Sequence, residues 1–135
     1  MRTYECTICG EKLTLCLNGA ALSDAYDKLG TDGFLLDRIR GGTRKAFNAT
    51  CWLLWKLAEQ GELLRRWQGQ DRQPVPSEGF FRLHMRPADV LAARAAIEEA
   101  FRLGFLREIQ DKDGIDLGLA ELEKKTTEAA GGPSI

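Results

Sequence analysis

Tyr4-Glu5-Cys6-Thr7-Ile8-Cys9-Gly10-Glu11-Lys12-Leu13-Thr14-Leu15-Cys16-Leu17 holds two short β-prone runs, YECTIC and KLTLCL, around Gly10-Glu11. Tyr4, Cys6 and Ile8 alternate with Glu5, Thr7 and Cys9, and Leu13, Leu15 and Leu17 alternate with Lys12, Thr14 and Cys16. Strand side chains point to opposite faces at a period of two, so each run has one apolar face. With glycine in the turn, residues 3–17 read as a β-hairpin. A lone hairpin is marginal in water, so this one needs a body to lie on.

Helices supply that body. Asn18 or Gly19 starts a helix over about 20–29, with Leu22, Tyr26 and Leu29 at i, i+4, i+7 and Gly30 as its stop. Thr31 or Asp32 caps a second short piece, about 32–40, through Phe34, Leu35 and Ile39. Thr43 caps the main helix, about 43–67, with Gly61 expected at or near its end and ELLRRW adding about two turns. QGQDRQPVPSEG is a loop by composition, and Phe80-Phe81-Arg82-Leu83 reads as a short extended segment. Pro87 suits the first turn of a helix over about 87–104, which gathers Val90, Ala93, Ile97, Ala100 and Phe101 on one face and stops at Gly104. The expected fold is α+β, mainly α: an N-terminal β-hairpin packed on a small helical domain spanning 1–106. Residues 107–135 read as a loosely held C-terminal segment with a weak amphipathic helix over IDLGLAELEKKTTEA.

The bulk composition excludes several partners. The 135 residues suffice for one core, and 44% hydrophobic with 29% charged residues is ordinary for a globular chain. A net charge of −1 supplies no global attraction to nucleic acid or an anionic membrane. No apolar run approaches the roughly 20 residues that span a bilayer, and the N-terminus lacks a secretory layout. The expectation is a bacterial cytoplasmic protein with no membrane partner, whose four cysteines stay thiols or bind metal.

Cys6-Thr7-Ile8-Cys9-Gly10 resembles half of a zinc ribbon, but a structural zinc site needs four converging ligands, usually two paired motifs. After Cys6 and Cys9 only Cys16, Cys51 and His84 remain, and no second Cys-x-x-Cys or His-x-x-His exists. The favoured expectation is no cofactor, with zinc on Cys6, Cys9 and Cys16 the lesser alternative. His84 has no nucleophilic constellation around it, and Asp111-Lys112-Asp113-Gly114 lacks the later ligands of a calcium loop. Gly41-Gly42-Thr43-Arg44-Lys45 matches no phosphate-binding fingerprint, and Arg65-Arg66-Trp67 is one isolated basic-aromatic trio. Together these point away from an enzyme.

Phe47 to Ala58 is richer. At about 100° per residue Phe47, Cys51, Leu54 and Ala58 form one stripe, widened by Leu53 and Leu57 on one side and Trp55 on the other. Trp52 falls nearer Lys45, Lys56 and Glu59, on the face expected to meet water. Such a helix is either the central core helix or an interface helix. The second case assigns partner binding to Trp52, Trp55, Leu53 and Trp67.

Tyr4-Glu5 with Lys12-Leu13-Thr14-Leu15, then Ala20-Ala21-Leu22-x-x-Ala25-Tyr26-x-Lys28-Leu29-Gly30, the Phe47–Leu57 helix and the Pro87–Phe105 helix resemble the tail assembly chaperones of long-tailed bacteriophages and prophages. The resemblance covers roughly residues 1–105 and is one of residue classes and element lengths. It implies a non-enzymatic factor that binds the tape measure protein, keeps it soluble and assists tail tube protein assembly around it. It transfers no catalytic residues, and the Cys6/Cys9 pair departs from it. Two alternatives stand beside it: a small zinc-dependent nucleic-acid-binding regulator using CTICG with Arg38, Arg40, Arg44, Lys45 and the Arg65-Arg66-Trp67 trio, and a homo-oligomer, a structural subunit self-associating through the tryptophan face.

Overall fold

Cys9 and Gly10 both take left-handed backbone, φ 54° and 77°. Two consecutive left-handed residues make the tight hairpin turn whose twist matches that of the flanking strands. The turn therefore falls on Cys9-Gly10, one residue earlier than Gly10-Glu11. Strand β1 is Tyr4–Ile8 and β2 is Glu11–Leu15, paired antiparallel with Tyr4 opposite Leu15 and Ile8 opposite Glu11. The computed structural model describes residues 2–106. The expected helix in 107–135 and the Asp111–Gly114 turn lie outside them.

The expected architecture, α+β and mainly α, is what the chain adopts. Helix α1 is Gly19–Leu29, opened by the Asn18 side chain, which accepts the Ala21 amide at 2.8 Å. The second short piece is a 3-10 helix, Leu35–Ile39, rather than an α-helix over 32–40. Asp32 and Gly33 are bent, and Asp32 pairs with Arg38 instead of capping. Helix α2 is Arg44–Trp67, capped by Thr43, whose hydroxyl accepts the Ala46 amide at 3.1 Å. Phe80 and Phe81 lie in a helix, α3, Glu78–His84, not in an extended segment: Ser77 caps it and Glu78 pairs with Arg82 one turn on at 2.6 Å. Helix α4 is Pro87–Phe105.

The alternation read from the hairpin sets its packing. Ile8, Leu13 and Leu15 are buried, while Glu5, Thr7 and Lys12 face out. The inward side rests on α2, whose Cys51, Leu53, Leu54 and Leu57 are wholly buried, and on α4 through Ala93, Ile97 and Ala100. Helix α2 is thus the central core helix.

Gly61, expected at or near a helix end, lies inside α2, whereas Gly104 falls one residue before the end of α4. At Gly61 a Cβ would stand 1.7 Å from the Thr14 carbonyl oxygen, and at Gly104 it would stand 2.7 Å from Leu17 Cβ. Both let a helix backbone close onto β2 or the residues just after it. The Cys16 amide also donates to the mid-helix carbonyl of Leu57 at 3.0 Å, a main-chain bond between hairpin and helix.

Beyond α2, Glu62 organises the loop. It is buried and accepts from Arg65 at 2.7 Å, Arg66 at 2.8 Å and the Gln73 amide at 2.8 Å, while Arg65 also reaches the Asp71 carbonyl. The described residues up to Phe105 form one folded unit.

Candidate functional site

The cysteines do not converge. Cys6 lies on β1, Cys9 in the turn and Cys16 just past β2, and among the described residues no group of three or more His, Cys, Asp or Glu side chains could hold a metal ion. Zinc binds thiolates, yet burial pushes the Cys6 and Cys51 thiols up to about 11. Burial and the Asp89 carboxylate also push Cys9 up. The zinc alternative on Cys6, Cys9 and Cys16 has no geometric support. His84 stacks on Phe80 with ring centroids 4.2 Å apart, and its Nδ1 lies 3.0 Å from the Phe80 carbonyl oxygen, so it closes the end of α3.

The tryptophan face is not an open surface. Leu53 is wholly buried, and Trp52 is 9% exposed rather than facing water. Leu53 offers a partner no surface, while Trp52 contributes to the lining of the groove formed by Lys28, Arg44, Lys45 and Arg82. Helix α1 packs against α2 and brings Asp24 within 3.0 Å of Lys56 Nζ. Lys56 also binds Glu59 at 2.8 Å and sits 4.8 Å from the Trp55 ring centre and 5.9 Å from that of Trp52. Helical periodicity placed Trp52 beside Lys56 correctly, but both belong to an internal ion and aromatic cluster. Trp55 is half-buried in it. Trp67 stands alone at the end of α2, 88% exposed, and Arg65 and Arg66 beside it are engaged by Glu62.

The apolar surface that does face outward lies elsewhere. Leu22 and Tyr26 of α1, Phe34, Leu35 and Leu36 of the 3-10 segment, and Phe101 and Phe105 of α4 line a groove of about 490 Å³. Phe34 is 78% exposed, Phe105 64% and Tyr26 39%, large aromatic side chains gathered on one concavity. Solitary exposed apolar residues are common, but a grouped set lining a concave surface marks a binding site. The groove's charged rim is largely self-neutralised: Arg40 pairs with Asp37 at 2.6 Å and Glu98 at 3.8 Å, and Arg102 bonds Glu99 at 3.0 Å.

Sequence periodicity missed this groove. It groups Tyr26 with Leu22 and Leu29 and runs a short helical piece through Phe34, without showing that these aromatics face outward together. The detectable signal was Phe34 directly after Asp32-Gly33, a large aromatic in a turn with no periodic partner.

Across the 3-10 helix lies a second groove, of about 840 Å³, which shares Asp37 and Arg40 with the first. Lys28, Arg38, Arg44, Lys45 and Arg82 line it against Glu78. The basic residues scattered through 28–45 thus meet on one surface, which their sequence positions alone did not show.

The carboxylates lining the grooves are paired with arginines: Asp37 and Glu98 with Arg40, and Glu78 with Arg82. The architecture defines a mainly helical α+β protein carrying an aromatic groove suited to binding. The chain has no significant match to a family model, a curated protein or a solved structure. No helix among the described residues is long and apolar enough to cross a membrane.

Proposed function

We propose that this chain is a non-enzymatic binding protein, a tail assembly chaperone in kind, which holds an apolar helical stretch of a tape measure protein in the host cytoplasm and keeps it soluble for tube assembly. The observation that carries this reading is the groove between α1, the 3-10 helix and α4, with Phe34, Phe105 and Tyr26 exposed around it. An amphipathic helix docks in such a groove with anchors at i, i+3/i+4 and i+7. The order of hairpin and helices over residues 1–105 supports the family side of the proposal.

The groove replaces the tryptophan face as the anchoring surface, because Trp52 and Leu53 are buried. Co-expression with the tape measure protein of a long-tailed phage is the direct test. The client should be soluble with the wild-type chain and insoluble with Phe34→Asp/Phe105→Asp, two changes at exposed positions that leave the core intact. A client equally insoluble with and without the wild-type chain refutes the proposal.

A further inference from the structure

The two grooves share a wall. Asp37 and Arg40 of the 3-10 segment line both, so a chain leaving the apolar groove over this wall enters the basic one. Several cations there are already engaged: Arg38 by Asp32, Arg40 by Asp37, Arg82 by Glu78. Lys28, Arg44 and Lys45 make no ion pair among the described residues, and all three are exposed.

Resting on the helix-binding proposal above, we infer that the partner is an amphipathic helix with a short acidic flank. Its apolar face fills the Phe34/Phe105 groove. Its carboxylates cross the Asp37/Arg40 wall to Lys28, Arg44 and Lys45. A nucleic acid fits less well. The groove contains the carboxylates of Asp37 and Glu78, and a net charge of −1 gives no long-range attraction. Three cations outside any ion pair among the described residues suit a few carboxylates rather than a phosphate track. Charge complementarity of this kind fixes the direction in which a helix lies in its groove and excludes partners with a basic flank.

The test uses the full chain and fluorescent synthetic peptides of about 18 residues, roughly five helical turns. All share one set of leucine and phenylalanine anchors at helical spacing and differ only in a four-residue end of Glu, Ser or Lys. Anisotropy at low salt should rank Glu above Ser above Lys, with Glu over Ser by about tenfold, a margin that shrinks as salt is raised. Arg44→Ser/Lys45→Ser should erase the Glu advantage and leave the Ser peptide unchanged, whereas Phe34→Asp should weaken all three.

Equal binding of the Glu and Ser peptides overturns the acidic flank and leaves the helix groove standing. No binding by any peptide overturns the groove proposal itself. A single-stranded oligonucleotide that binds more tightly than the Glu peptide, and loses that binding in Arg44→Ser/Lys45→Ser, assigns the basic groove to nucleic acid and overturns the inference.

Discussion

Gly61, inside α2, faces the Thr14 carbonyl oxygen of β2 so closely that a Cβ added to it would stand 1.7 Å away, with the Thr14 carbonyl carbon at 2.6 Å. The helix and strand touch backbone to backbone there. One turn earlier the Leu57 carbonyl accepts the Cys16 amide, so contact and hydrogen bond act on the same seam.

Gly61→Ala is therefore expected to destabilise. On an exposed helix the change would gain about 1 kcal/mol from propensity. Here the neighbour is main chain and cannot swing aside, so overpacking of about 1–3 kcal/mol should outweigh the gain. Chemical denaturation of the two proteins decides it, and a midpoint for Gly61→Ala at or above wild type would refute the close approach.

Cys9 occupies a left-handed position at φ 54°, which costs a residue with a Cβ about 1 kcal/mol or more and which asparagine tolerates better. Cys9→Asn should raise stability by about 0.5–1 kcal/mol, since it turns Cys9-Gly10 into the preferred Asn-Gly pair. Thermal unfolding would show it as an upward shift. No shift, or a fall, would place the turn elsewhere.

Glu62 ties the pH dependence of stability to the loop after α2. Burial alone would raise its carboxyl, but the Gln73 amide and the Arg66 and Arg65 guanidiniums outweigh burial and hold it below the usual carboxylate range. A carboxyl lowered in the folded state adds stability that is complete above its unfolded pKa, about 4.3, and is lost as pH falls through the folded value. Wild type should lose stability between about pH 5 and pH 3 more steeply than Glu62→Gln. At neutral pH the same substitution should cost about 1–3 kcal/mol. Parallel pH profiles for the two proteins would remove Glu62 from that role.

The tryptophan helix separates packing from binding. Leu53→Ala should cost about 2–5 kcal/mol, because the side chain is wholly enclosed and a cavity would remain. Trp67→Ala, at 88% exposure, should change stability by less than about 0.5 kcal/mol. Denaturation midpoints that failed to separate the two variants would contradict the burial of Leu53.

Much of the fold was legible along the chain because its causes are local. Alternation in YECTIC and KLTLCL picked out Ile8, Leu13, Leu15 and Leu17 as inward but missed Cys16, which is buried as well, and Asn18, Thr43 and Pro87 marked helix starts that the structure keeps. Glycine was the weak point. Gly61 carries the same letter as the stop at Gly30, yet it sits inside α2, against the Thr14 main chain, and that neighbour is distant in sequence. Phe80 and Phe81 misled in a similar way: two adjacent aromatics favour a strand, but the Ser77 cap and the Glu78–Arg82 pair close a helical turn around them.

The candidate site was less legible than the fold. Periodicity finds the apolar side of one helix, and by that measure Trp52, Trp55 and Leu53 stood out. What covers such a side depends on a second helix, and α1 with Asp24 and its partner Lys56 closes over the tryptophans. The groove at Phe34 and Phe105 combines α1, the 3-10 helix and α4, elements separated by up to about seventy residues of chain. By itself the sequence determined the hairpin, the long central helix and the absence of a global charge, since each follows from residue type and spacing within a few turns. Only the tertiary structure decided which aromatics remain exposed, because exposure is set by the neighbours that a side chain lacks.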